Sequence, residues 1–569
     1  MSEQIKDPYN VTDLVAPYNI ECKIENLMLP SFDGVKLHTI VFYPLNLTSK
    51  TGVIFVRSPY SRTNYLELPN NLALKNNFVY IMQACRGTGW SEGVWDPSNS
   101  ENEIKDTANL IDWLANKEWF NGKIVMFGGS YPGWTQWCTQ MVNSPFLVGI
   151  APRVAPIWSC TGATCLGGGV QLSFAENWML TMHHRRKYGY AGVPDFNKLE
   201  ITKKLPVIDA DKHALYGQLA PFRNFLKKAI EPKKHLIIPE QEFSKFTAPA
   251  FIAGGWFDNF KHETILSFML MQKCSATQES RNNSFLTIGP WGHGGLLNPD
   301  LFGKECDYTD LSIRQDTFLV NLLNNPKENP LPNDPKVTYY MLGENKWYTA
   351  DTWPPENTTT QVAYLSSEKS ANSSFGDGKI TFEENPSSSS YSTYISNPNA
   401  PVLYNNGNHG GIGCYDRSSI QQREDVLVFT TEPFKEEFAI AGNVKLQFTA
   451  TISTPDSDIF ATLTLLQEDG KAYFLTQGMV RARFKDNLEE KLLEPNKEYT
   501  FEINLSHIAV KLMPKMALRL DICGQNFPAH DRNANTGLAL LEDTQLVPSK
   551  HTIFHDKTRP AKLIIPVLS

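Results

Sequence analysis

The run Lys-Ile-Val-Met-Phe-Gly-Gly at 123–129 passes without a linker into Ser130-Tyr131-Pro132-Gly133, and this junction limits the folds open to the chain more than any other feature. An apolar run of strand length, ended by two glycines and followed by a helix-like stretch, predicts a buried strand that turns sharply into a helix. Neighbouring sequence repeats the alternation. Apolar runs at 52–56 and 78–83 end in polar or Gly-rich loops, and residues 106–120 read as a helix. Residues 33–43, from the Asp33-Gly34 turn onward, read as a hairpin. Alternating buried strands and helices predict a mostly parallel sheet.

The pattern changes twice. Over 158–240 a Gly-rich segment (166–169) gives way to two helix-like stretches, 171–187 and 211–230, the second with Leu219, Phe222, Leu226 and Ile230 on one face. Strand signals resume at 248–258 and 284–293, so the helical part reads as a cap inserted into an α/β-hydrolase domain. The Pro- and Thr-rich segment 352–361 is a boundary. Past it come runs with period-two alternation at 443–452, 459–466, 479–484, 499–505 and 517–522, which predict an antiparallel β-sandwich. The expected division is 1–157 with 241–355 (α/β-hydrolase domain), 158–240 (helical cap) and 356–569 (β domain).

A chain of 569 residues is too long for one hydrophobic core. Its net charge of −7 is spread along the chain with no basic stripe, so nucleic acid is not an expected partner. The N-terminal MSEQIKDPYN lacks a signal-peptide pattern and no apolar run is long enough to span a membrane, so a soluble cytoplasmic protein is expected. The nine cysteines form no CxxC pair, which favours reduced thiols over disulfides or zinc. Neither metal nor cofactor is expected, and an oligomer is left open.

A Ser at a strand-to-helix turn is exposed to solvent and its backbone is crowded, which calls for small neighbours. The plain G-x-S-x-G pattern is broken here, with Pro132 in the last Gly's place and Gly133 after it. A serine hydroxyl needs a base to take its proton and a carboxylate to orient that base. Asp258 closes the strand-like FIAGGWFD, and His293 lies in the Gly-rich GPWGHGG after the next strand. Alone, each has a bland reading as a loop cap or a structural histidine. Together they follow the order Ser, Asp, His, each at a strand end.

These motifs carry a resemblance. Arg57-Ser58-Pro59-Tyr60, Arg86-Gly87 with Ser91-Glu92-Gly93, the Gly128–Gly133 turn, Gly255-Trp256-Phe257-Asp258, Gly289-Pro290-Trp291-Gly292-His293 and the C-terminal Asn526-Phe527-Pro528, Asp531-Arg532-Asn533 and Asn535-Thr536-Gly537 resemble the cocaine-esterase-like (CocE/NonD) hydrolases, relatives of X-prolyl dipeptidyl aminopeptidases. The resemblance spans nearly the whole chain and implies a jelly-roll-like β domain. It implies Ser130 as nucleophile, His293 as base then acid, and Asp258 as its orienter. The oxyanion would be held by the backbone N–H of Tyr131 and the hydroxyl of Tyr60, a phenol that stays protonated at neutral pH.

Two departures stand out. Ala84 occupies a place where the family often has Asp, and Asn259, Phe260 and Lys261 follow Asp258 where relatives acting on α-amino esters carry acids. A Lys261 facing the pocket would repel a cation, and Glu176 of the cap is the acid that could offset this. Trp134, Trp158, Phe174, Trp178 and Phe260 are candidates for an apolar acyl pocket, although such residues more often fill cores. The expected activity is hydrolysis of a small ester or amide through an acyl-enzyme. The alternatives are an X-Pro dipeptidyl-peptidase acting on short peptides, and a non-enzymatic binding protein using the β domain.

Overall fold

The computed structural model describes all residues except 1–2, 5–20, 48, 61–68, 158–165, 189–198, 215–216, 232–239, 297–298, 304–305, 307–309, 385–389, 405–412 and 487–488. Two sheets organise it. The first contains β1 (Glu3–Gln4), β2 (Cys22–Pro30), β3 (Lys36–Pro44), β4 (Thr51–Ser58), β5 (Val79–Ala84), β6 (Phe120–Gly129), β7 (Leu147–Arg153), β8 (Phe251–Phe257), β9 (Phe285–Gly292), β10 (Gly295–Leu296), β11 (Val337–Met341) and β12 (Lys346–Ala350). Their order is β1-β2-β3-β5-β4-β6-β7-β8-β9-β11-β12, with β10 paired to β9. From β5 to β11 every pairing is parallel. The ends are antiparallel, including the β2–β3 hairpin around Asp33-Gly34. Residues of β4 are buried throughout, as expected of a strand covered on both faces.

The helix before β6 spans Ser100–Ala115, not 106–120. Asn99 caps it by accepting from the Asn102 N–H at 3.2 Å, and Glu101 and Glu103 sit in its first turn, where the helix dipole favours acids. The expected helix over 211–230 is two: Ala210–His213 and Ala220–Ala229. Gly217 takes a left-handed φ of +73° between them, and Pro221 opens the second, where a missing N–H costs nothing. The other expected helix is Leu172–Tyr188. Strand β7 carries no clear alternation and has no counterpart in the sequence reading. Between β7 and β8 the described residues form helices and no strand. None of the described helices is long and apolar enough to cross a membrane.

The second sheet system is a β-sandwich of β13 (Thr358–Ser366), β14 (Lys379–Thr381), β15 (Tyr391–Ser396), β16 (Leu427–Thr430), β17 (Phe438–Ile452), β18 (Asp458–Leu466), β19 (Ala472–Arg481), β20 (Glu498–Leu512), β21 (Ala517–Cys523), β22 (Ser549–Phe554) and β23 (Lys562–Leu568). The long β17 pairs with β20 on one edge and with β23 and then β22 on the other. The run 479–484 does not continue as a strand. β19 ends at Arg481 and Ala482–Phe484 is a 3-10 turn, because Asp456 draws in both the N–H of Arg483 (2.9 Å) and its guanidinium (2.7 Å). The sandwich is joined to the first sheet by backbone bonds between Leu342 and β20: Leu342 N–H to Ala509 O at 3.1 Å, and Lys511 N–H to Leu342 O at 2.8 Å.

Candidate active site

Ser130, Asp258 and His293 each follow the carboxyl end of a parallel strand, β6, β8 and β9. A sheet of this kind gathers such ends along one edge. Ser130 has φ 60° and ψ −127°, a conformation that L-residues adopt only when the surroundings impose it. Its neighbours make the turn possible. Gly128 has φ +148°, and a Cβ there would lie 2.5 Å from the Cβ of Pro132. A Cβ on Gly133 would lie 2.4 Å from that of Ala155. Pro132 is therefore tolerated in the first turn of the helix Tyr131–Val142, while the glycine moves one place on, where the chain just past β7 comes close.

His293 joins the other two. Its Nδ1 is 2.6 Å from Asp258 Oδ2 and its Nε2 is 2.9 Å from Ser130 Oγ. A carboxylate only accepts, so Nδ1 carries the hydrogen and the lone pair of Nε2 faces the serine hydroxyl. The second oxygen of Asp258 accepts the Phe260 N–H at 2.8 Å, which fixes the carboxylate plane. Burial pulls the His293 pKa down, but the charge of Asp258 and its hydrogen bond outweigh this and hold it above the usual value.

Tyr131 begins the helix after Ser130, so its backbone N–H has no acceptor within that helix. Its side chain is committed elsewhere, donating to Glu103 Oε1 at 2.8 Å. Glu103 also accepts from Arg57 Nε at 2.7 Å, Arg57 Nη2 reaches Asp106 at 2.9 Å, and Arg86 Nη2 reaches the other Asp106 oxygen at 2.6 Å. This buried network lies behind the serine turn and accounts for two motif arginines. Arg57 finds both its acids on the helix Ser100–Ala115, and Arg86 shares Asp106 there and pairs with Asp33 of the β2–β3 turn at 2.7 Å, even though Ala84 is not an acid. Glu103 and Asp106 escaped the sequence reading. Their only signal is that two acids three residues apart fall on the buried face of an amphipathic helix. Tyr60 stands two residues beyond β4, which runs beside β6. It is half-buried against the cluster that holds Tyr131 and Trp134.

The aromatic candidates separate. Phe260 meets the His293 ring edge-on at 5.3 Å, Phe174 meets Phe260 edge-on at 6.1 Å, and Trp178 stacks on Phe174 at 5.8 Å. One run of rings thus leads from the imidazole into the cap helix Leu172–Tyr188. Trp134 is fully buried and packs edge-on against Tyr131 at 4.8 Å, so its indole is core rather than an open wall. Trp158 lies outside the described residues. Lys261 does not present a charge to this site: it is buried at the junction with the sandwich, where Nζ donates to Thr476 Oγ1 at 2.9 Å. Glu176 is buried too, and burial pushes its carboxyl up to about 8.

Family models match the two halves of the chain in succession: the X-Pro dipeptidyl-peptidase (S15 family) over residues 33–295 and the X-Pro dipeptidyl-peptidase C-terminal non-catalytic domain over 329–564. Cocaine esterase from Rhodococcus sp. (strain MB1 Bresler) is 25% identical over 586 residues, covering 95% of this chain and 98% of the relative. Among solved structures, an aminopeptidase from a marine sediment Thaumarchaeota archaeon superposes with a TM-score of 0.80 at 22% identity, over 100% of this chain and 99% of the other. An α-amino acid ester hydrolase gives 0.77 at 20% identity, over 99% and 100%. The fold is therefore shared end to end with these proteins. The chain belongs to the S15 family, alongside the cocaine-esterase-like (CocE/NonD) enzymes, and is a serine hydrolase.

Proposed function

We propose that this hydrolase works through an acyl-enzyme on Ser130. The observation that carries the reading is the relay Asp258–His293–Ser130, with spacings of 2.6 and 2.9 Å. His293 Nε2 takes the Ser130 proton as Oγ attacks the substrate carbonyl. The Tyr131 N–H and the Tyr60 hydroxyl hold the oxyanion that forms. His293 then returns the proton to the leaving alcohol or amine, and the acyl group stays on Oγ. Water repeats the sequence and releases the acid. Asp258 keeps the imidazole in the tautomer this needs. Phe260, Phe174 and Trp178 form the apolar wall for the acyl group, with Trp134 supporting from behind and Trp158 at the start of the proposed cap, residues 158–240. The proposed α/β domain is 1–157 with 241–355, followed by a jelly-roll-like domain over 356–569.

For the substrate, we favour a neutral short-chain or aromatic ester over an α-amino ester or X-Pro peptide. An α-ammonium group entering an apolar pocket needs a fixed carboxylate to replace its hydration. The two residues after Asp258 are uncharged, and burial pushes the Glu176 carboxyl up to about 8, against the charged form. The named relatives divide on this point, one being a cocaine esterase and another an aminopeptidase. A serine-directed phosphonate should label Ser130 and leave Ser130→Ala unlabelled; full labelling of the variant removes Ser130 as nucleophile. In competition, phenyl acetate should be cleaved with higher kcat/KM than Gly-Pro anilide. The reverse order promotes the dipeptidyl-peptidase reading with the relay unchanged.

A further inference from the structure

Strand β19 of the sandwich reaches the loop that carries Asp258 at two points, one on either side of the carboxylate. Phe257, which ends β8, has its ring 6.4 Å from that of Phe474. Lys261, three residues past Asp258, donates to Thr476 at 2.9 Å. Between Phe474 and Thr476 the pairing of β19 with β18 slips, Leu463 facing Thr476 and Thr464 facing Phe474, so Leu475 is an inserted residue. Bulges of this kind re-aim side chains and cluster beside active sites.

The anchor is itself held. Thr476 donates its own hydrogen to Leu505 O on β20, which leaves its oxygen lone pairs for Lys261. The next residue, His262, stacks on His507 of β20 at 6.0 Å, and His507 Nδ1 accepts from Trp353 Nε1 at 3.1 Å. Burial disfavours charge at this junction. It pulls Lys261 down to about 7, and, with help from the Lys261 charge, His262 to about 4. Inside the loop, Asp258 O accepts the Lys261 N–H at 3.2 Å and Asp258 N–H donates to Gly255 O at 3.1 Å. The turn is short enough that a shift at residue 261 is passed to residue 258.

We propose that the sandwich sets the position of Asp258, with Lys261 and Thr476 as positioning residues that act through Asp258 on His293. The inference rests on the reading of Asp258 as the orienter of His293. It gives the C-terminal domain a part in turnover without placing any of its atoms on the substrate.

The test uses the full chain and a neutral aryl ester. Thr476→Val should lower kcat by roughly 10- to 100-fold, the scale expected for a slightly misplaced catalytic group, with KM changed less than about 2-fold. The acid limb of the kcat/KM–pH profile should move to lower pH, because a retreating Asp258 no longer raises His293. Thr476→Ser, which keeps the hydroxyl, should restore both. If Thr476→Val does not fold, the double variant Lys261→Met with Thr476→Val replaces the polar pair by an apolar one and should show the same two shifts. Lys511→Met breaks a different contact between the same two regions, the 2.6 Å pair with Glu344, and should alter neither. Normal kcat and an unmoved acid limb in the 261/476 variants overturn the inference. Asp258→Asn serves as reference: if that variant turns over normally, the relay reading falls instead.

Discussion

Ser130 and Asp258 end two parallel strands of one sheet, separated by β7, and are held by opposite means. The contacts that set the backbone of the Ser130 turn itself lie close along the chain or in and just past β7, with the Glu103–Arg57 network packed behind it. Gly128 and Gly133 clear the space, Pro132 starts the helix, and the Ser130 N–H donates to Arg153 O at 2.9 Å. The loop bearing Asp258 is held from a different sheet, by residues 215 positions away in the case of Thr476. A strained turn defined by its own neighbours is fixed once the strand and helix form. A carboxylate anchored across a domain junction is correct only when both parts have folded and docked.

The largest effect should come from the remote end. Asp258→Asn should leave the fold intact and reduce turnover by as much as ~10⁴, because the imidazole is no longer held in the productive tautomer. Its pH profile should move as well. As the proposed base, His293 has to be neutral to act, and Asp258 holds its pKa above the usual value, so wild-type activity should be lost as pH falls through that raised pKa. Without the carboxylate charge the limb shifts to lower pH. Turnover close to wild type would assign the orienting role to another acid.

Next comes the support behind the local end. Arg57→Met strips Glu103 and Asp106 of a buried cation, and breaking a buried pair from one side costs about 3–5 kcal/mol. Urea unfolding should show a lower midpoint with an unchanged slope. A loss below 1 kcal/mol would mean that the acids find other partners. Tyr60→Phe tests a third strand end, that of β4. It should keep KM and stability while lowering kcat by roughly 10²–10³ for a chemically limited substrate; an unchanged rate would place the oxyanion donor elsewhere. The smallest effect is expected from Gly133→Ala. Its Cβ would meet Ala155 at 2.4 Å, an overpacking cost of about 1–3 kcal/mol. Phosphonate labelling of Ser130 should slow, while a stability equal to wild type would show that the serine turn is less tightly fitted than the contact indicates.

The two ends were unequally legible. The Ser130 turn, the parallel strands β4, β5, β6, β8 and β9 and the Ser-Asp-His order could be read from chain neighbours, since hydrophobic periodicity and glycine placement are local signals, whereas β7 carried no such signal. The helix over 211–230 failed locally as well. Its apolar face was read correctly at Phe222 and Leu226, which are buried, but Gly217 and Pro221 divide it. The strand run 479–484 failed for a tertiary reason, because Asp456 bends the chain at Arg483 through bonds that no alternation pattern records.

The sequence by itself thus determined most strands of the parallel sheet, the turn that presents Ser130, and that Asp258 and His293 follow it in order at strand ends. Tertiary structure alone decided that Trp134 is core, that Lys261 faces the sandwich rather than the pocket, and that Glu103 and Asp106 pair with Arg57 while Asp106 and Asp33 pair with Arg86. The physical reason is the range of the contacts. Backbone conformation and amphipathic periodicity are written over a few residues, whereas the partner of a buried charge is whichever group the packing of distant elements brings within about 3 Å of it.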